Sequence, residues 1–190
     1  MTNDNVTYHK LITAAAACFA EKGFNATSIK EIATRAGISQ GAMYTYFKGK
    51  GELISAIVLE EQKSALAAQA LPHSGSYLNC LCSLLESCIS DVGYPASHHL
   101  WVEIIAESAR NPSLRETFIT SDKAMRDGIG KIIEKGVEAG EFSNSINIEE
   151  TTIMLFSIID GLIGRKAINK DFSPEKDLPS FRRTIEKILR

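Results

Sequence analysis

Apolar residues recur every three or four positions along almost the whole chain. Over residues 7–22, Leu11, Ile12, Ala15, Cys18 and Phe19 share one face of a helical period and the opposite face is polar. Gly23 follows where a left-handed C-terminal cap belongs. No run of β-branched residues alternates with period two, so the pattern predicts an all-α fold. The same period places further helices at about 28–36, 40–47, 52–70, 77–91, 95–109, 112–140, 149–169 and 174–189, about nine helices in all. The long seventh helix carries Gly128 and Gly130, either of which would permit a kink, and residues 72–76 read as a turn-rich linker. There is no internal repeat or low-complexity segment, and the alanine run at 14–17 simply favours helix.

Composition narrows this picture in two ways. The 190 residues suffice for one sizeable core with a small appended domain. The most apolar stretch, 153–163, is interrupted by Ser157, Asp160 and Gly161 and is shorter than the roughly 20 residues a membrane span needs, so no membrane segment is expected. The polar start, Met1 to Tyr8, lacks the order of a secretory signal, which makes the cytoplasm the expected compartment and reduced thiols the expected state of the cysteines. The net charge of −2 argues against a nucleic-acid partner until its distribution is examined. Residues 1–51 hold Lys10, Lys22, Lys30, Arg35, Lys48 and Lys50 against Asp4, Glu21 and Glu31, while the remainder is net acidic. A basic head on an acidic body suits a protein that presents one end to phosphates.

The head contains short helices with short joints. Ser28 and Glu31 have the spacing of a capping box, so a helix starts sharply at Ser28. Ile29, Ile32 and Ala33 give that helix an inward face, Ala36 permits close contact, Gly37 supplies a tight turn, and Ile38 fills the angle before Ser39 caps the next helix. This is the spacing of a helix-turn-helix at 28–47, whose second helix the first one places in the DNA major groove. In the second helix Met43 and Phe47 can anchor to the core at i, i+4, leaving Gln40, Tyr44, Thr45 and Tyr46 outward. Hydroxyls of that kind donate to phosphate oxygens, Gln40 can reach a base edge, and Gly41 and Ala42 allow close approach.

Thr27, Ile32, Ala33, Ala36, Gly37, Ile38, Ser39, Gly41, Tyr44, Phe47, Lys50 and Leu53 together resemble the N-terminal signature of TetR-family regulators, over about residues 5–65. The resemblance implies a three-helix DNA-binding domain at 1–51 and a helical effector-binding and dimerisation domain at 52–190. It implies that Thr27 or Ser28 contacts a phosphate, that Ser39, Gln40, Gly41, Ala42 and Thr45 face bases, and that Tyr44, Tyr46 and Lys50 clamp the backbone. Lys48 joins them as a candidate DNA contact. Gly51 departs from the pattern, since a better helix former is usual there, and predicts a looser start to the fourth helix.

Beyond residue 72 the likeness is to the regulatory domains of the BetI- and AcrR-like branches, carried by 100–112 and 136–142. Those domains bind small effectors between helices, and the expected lining here is Leu81, Leu85, Cys88, Trp101, Ile105, Phe118 and Met125, with Glu103 as a polar contact. The resemblance further implies a homodimer built on the last two helices, through Thr152, Leu155, Phe156, Ile159, Leu162 and Ile163 on one and Phe181, Ile185, Ile188 and Leu189 on the other. Dimer symmetry would be matched by a palindromic double-stranded DNA operator. The implied function is a repressor that an unidentified small molecule releases from DNA.

Other chemistry finds little support. Cys80 and Cys82 point in divergent directions on one helix and cannot chelate a single metal, so neither metal nor cofactor is expected. A thiol sensor among Cys80, Cys82 and Cys88 stays open, as does a His99–Glu103 pair at i, i+4. No ordered Ser/His/Asp or Cys/His set and no phosphate loop points to an enzyme. A protein-interaction module with a vestigial DNA head also stays open at this point.

Overall fold

The computed structural model describes residues 3–72, 75–90 and 95–190. His73 and Ser74 of the predicted linker, and the predicted helix end at Asp91, lie outside the described residues. Among the described residues there are nine helices and no strands: α1 (Asn3–Lys22), α2 (Ile29–Ala36), α3 (Gln40–Met43), α4 (Lys50–Gln69), α5 (Tyr77–Ser90), α6 (His98–Ser108), α7 (Pro112–Glu138), α8 (Ile148–Ile168) and α9 (Pro174–Leu189).

The local signals act where the sequence places them. Ser28 caps α2 with both halves of the capping box formed, and Gly37 closes that helix in the left-handed region at φ 71°. Ser97, Asn147 and Ser39 each accept a backbone N–H at the start of α6, α8 and α3. Several boundaries differ from the expectation, with α1 starting at Asn3 rather than about residue 7 and α6 at His98 rather than about residue 95. Helix α3 is a single turn rather than two. The fourth helix begins at Lys50, not Glu52, because the Glu52 carboxylate reaches back to the Lys48 N–H at 2.8 Å and organises the first turn, which accommodates Gly51. Helix α7 runs as one element through Gly128 and Gly130. Gly128 serves a close approach, since a Cβ there would collide with the Gln69 side chain.

The chain divides into two compact units, Met1–Lys63 with Gly93–Ser121, and Ser64–Val92 with Asp122–Arg190. In the first, α1 packs against α2 and α6, and α2 against α3. Its core holds Leu11, Ile12, Phe19, Ile32, Met43, Leu53, Ile57, Leu100 and Trp101. In the second, α5 packs against α8 and α9, around Leu81, Leu85, Ile89, Leu155, Ile185 and Leu189. Residues 95–121 thus pack in the same unit as the head.

Candidate nucleic-acid interface

The segment 40–47 is held from behind by two apolar anchors. Met43 and Phe47 are buried, and the Phe47 ring stacks on Tyr8 of α1 with centroids 5.2 Å apart. After Met43 the chain tightens: Thr45 N–H bonds to the Ala42 carbonyl at 3.2 Å and Tyr46 N–H to Met43 at 2.9 Å, both i to i+3. The Thr45 hydroxyl donates to the same Ala42 carbonyl at 2.7 Å. The Phe47 N–H bonds to the Met43 carbonyl at 3.1 Å, so α3 ends after one turn in bends that keep Phe47 over the core.

What remains outward is Gln40, Gly41, Ala42, Tyr44, Thr45 and Lys48, all exposed, with Tyr44 50% accessible. Ser39 is exposed too, but its hydroxyl accepts from Ala42 N–H at 3.1 Å and acts first as a cap. Ser28 is likewise exposed and engaged in its capping box. Tyr46 is half-buried, and its hydroxyl donates to Asp4 at 3.1 Å.

Two expected phosphate contacts are placed otherwise. Thr27 is buried, with its hydroxyl 2.8 Å from the Gly23 carbonyl and 3.1 Å from that of Cys18, so it braces the turn between α1 and α2. Lys50 donates to the Phe24 carbonyl at 2.6 Å and the Asn25 carbonyl at 3.2 Å, with its ammonium over the Phe24 ring. It ties the start of α4 to that same turn.

Helices α1 and α2 are cross-linked by Lys22–Glu31 and by a bidentate Arg35–Glu21 pair. The Lys22 ammonium, followed by the Ser28 N–H and hydroxyl, lowers the Glu31 carboxyl from 4.5 to about 2. Because that folded value is depressed, this contribution is complete above the ordinary carboxylate range and is lost as pH falls toward about 2. Both pairs are solvent-exposed and so contribute orientation more than stability.

The residues expected to line an effector pocket fall in both units. Trp101, Glu103, Ile105 and Phe118 belong to the first unit, and Leu81, Leu85, Cys88 and Met125 to the second. Trp101 is buried with its ring 5.8 Å from Phe118, whereas Ile105 is 36% exposed and faces outward. Glu103 points at the α1–α2 turn: its carboxylate accepts the Phe24 N–H at 2.6 Å. No feature of the sequence connects residues 79 positions apart, so this contact was not legible in it.

Thr152, Leu155, Ile159 and Ile163 of α8 and Phe181, Ile185 and Leu189 of α9 are already buried within the chain, and Phe156, Leu162 and Ile188 are half-buried. The apolar side chains α8 leaves outside are Ile153, Met154 and Ile168, in line with Ser157 and Gly161. Among the described residues no three His, Cys, Asp or Glu come together as a metal set. Burial pushes the Cys80 and Cys82 thiols up, the Arg182 charge only partly opposing this at Cys82, which is the wrong direction for a reactive thiolate.

The family model for bacterial regulatory proteins of the tetR family matches residues 11–57, and that for the C-terminal part of BetI-type transcriptional repressors matches 82–190. The chain belongs to the TetR family of transcriptional regulators. Among TetR-family relatives, the chain is 29% identical over 163 residues to the transcriptional regulator UidR of Escherichia coli strain K12, covering 85% of this chain and 82% of that one. It is 24% identical over 166 residues to the transcriptional repressor AcnR of Corynebacterium diphtheriae, covering 85% and 82%. Salmonella enterica GusR superposes with a TM-score of 0.86 at 26% identity, covering 100% of this chain and 98% of that one. Bacillus subtilis FadR superposes with a TM-score of 0.81 at 20% identity, covering 96% and 100%, and shares the fold. A TetR-family regulator is not an enzyme, and the exposed surface of Gln40, Gly41, Ala42 and Tyr44 falls inside the N-terminal match. No helix among the described residues is long and apolar enough to cross a membrane.

Proposed function

We propose that this TetR-family chain is a cytoplasmic, homodimeric repressor that binds a palindromic operator and leaves it when a small molecule binds the body. The observation that carries the reading is the outward surface of Gln40, Gly41, Ala42 and Tyr44 over the buried anchors Met43 and Phe47. A low-bulk surface with one phenol and a nearby lysine, Lys48, matches what a major groove and its phosphates require. The repressor description comes from AcnR, and the FadR structure was solved with stearoyl-CoA, so a fold of this kind holds a ligand.

The face that pairs two copies is the exposed side of α8, Ile153, Met154 and Ile168, with Ser157 and Gly161 allowing the helices to approach. The outward face of α9 is polar at Ser180, Arg183, Thr184 and Lys187, so α8 dominates the contact. Effector binding acts through α4, which contributes residues to both units and begins next to the recognition segment. Linkage then requires that effector and operator weaken each other by the same factor.

The test is selection from a random-sequence duplex library with the full chain. A twofold-symmetric sequence should be enriched, and Tyr44→Ala, at an exposed position that leaves the fold intact, should weaken binding to it by about tenfold. Enrichment of no sequence would overturn the reading.

A further inference from the structure

Both backbone polar groups of Phe24 are held by ionised side chains from other elements. Glu103 of α6 accepts the Phe24 N–H at 2.6 Å, and Lys50 at the start of α4 donates to the Phe24 carbonyl at 2.6 Å. The backbone is shaped for this contact. Gly23 lies at φ 82°, and a Cβ there would stand 3.2 Å from Glu103 Oε1, so the carboxylate rests against the bare glycine. Thr27 ties the other side of the same turn to the Gly23 carbonyl. The turn that joins α1 to the helix-turn-helix is therefore gripped by one residue of α6 and one of α4.

These elements have different allegiances. The turn lies within the stretch matched by the tetR-family DNA-binding model, and α6 lies within the stretch matched by the BetI-type C-terminal model, yet both pack in the same compact unit. Helix α6 packs against α1 as well, and Trp101, two residues before Glu103, is buried in that unit. A displacement of α6 cannot leave the Phe24 contact unchanged, because charge-assisted hydrogen bonds are short and directional.

We propose that Glu103 is a positioning residue for DNA recognition: by holding the Phe24 N–H it fixes the α1–α2 turn, and with it the recognition segment, to α6. The proposal rests on the operator-binding reading. It assigns to Glu103 a role on the head rather than in effector contact, and it makes Lys50 the partner of Glu103 through the same residue.

The experiment compares wild type, Glu103→Ala, Glu103→Gln, Lys50→Met and the Glu103→Ala/Lys50→Met double variant in binding the duplex that the wild type selects, over a range of salt. Urea unfolding and hydrogen exchange at residues 23–25 are read alongside. Glu103→Ala should bind about tenfold more weakly, as expected for loss of a hydrogen bond to a charged group. Its salt slope should match wild type, because Glu103 touches no phosphate. Protection at 23–25 should fall, Glu103→Gln should recover most of the affinity because its amide oxygen still accepts, and the double variant should lose less than the two single losses combined. Glu103→Ala binding within about twofold of wild type would overturn the proposal, as would a loss equal in the Gln and Ala variants. If the wild type itself selects no duplex, the operator-binding reading falls and takes this proposal with it, an outcome distinct from a binding wild type with an unaffected Glu103→Ala variant.

Discussion

Thr27 and Ser28 are neighbours whose hydroxyls do different work. Ser28 caps α2 from the surface, while Thr27 is buried against the Gly23 and Cys18 carbonyls. Replacing Thr27 by Val keeps the shape and removes the hydrogen bonds, so Thr27→Val should lower stability by about 1–2 kcal/mol. Urea denaturation should show a lower midpoint with an unchanged slope, and the salt dependence of DNA binding should not change. A residue that contacts phosphate would give the reverse: full stability and a shallower salt slope. The capping role of Ser28 was legible because it depends on Glu31 three positions away. The engagement of Thr27, Lys50 and Glu103 was not, because each depends on a turn whose path only packing defines.

At the scale of elements, the helix-turn-helix depends on Gly37. Its φ of 71° is one that L side chains avoid, and nothing lies within 4 Å of where a Cβ would stand. Gly37→Ala therefore meets no clash and isolates the conformational cost, about 1 kcal/mol for a left-handed residue. Equal or greater stability of this variant in urea would contradict the left-handed cap. The glycine and both caps were legible, whereas the shortness of α3 was not. Apolar spacing at Met43 and Phe47 is the same for one helix of two turns as for one turn followed by tightened bends. Helix α8 shows a related limit. It is apolar on two sides, Leu155, Ile159 and Ile163 on one and Ile153, Met154 and Ile168 on the other. Periodicity alone does not say which side the chain's own core covers.

For the whole molecule, the family and the all-α architecture were readable because they are written in contiguous residues. The grouping of residues 95–121 with the head was not, since it arises from packing across the sequence. The central claim is that two copies of the Gln40–Tyr46 surface engage one duplex, paired through the exposed side of α8. The most direct measurement is analytical ultracentrifugation of the chain with the duplex it selects, for wild type and for Met154→Lys. Met154 is 56% exposed, so the lysine should leave the fold intact while placing a charge in the proposed interface. The account predicts two wild-type chains per duplex, and a Met154→Lys protein that is monomeric in solution and binds about tenfold more weakly or worse. One wild-type chain per duplex, or a Met154→Lys protein that still binds as a dimer with undiminished affinity, would contradict it.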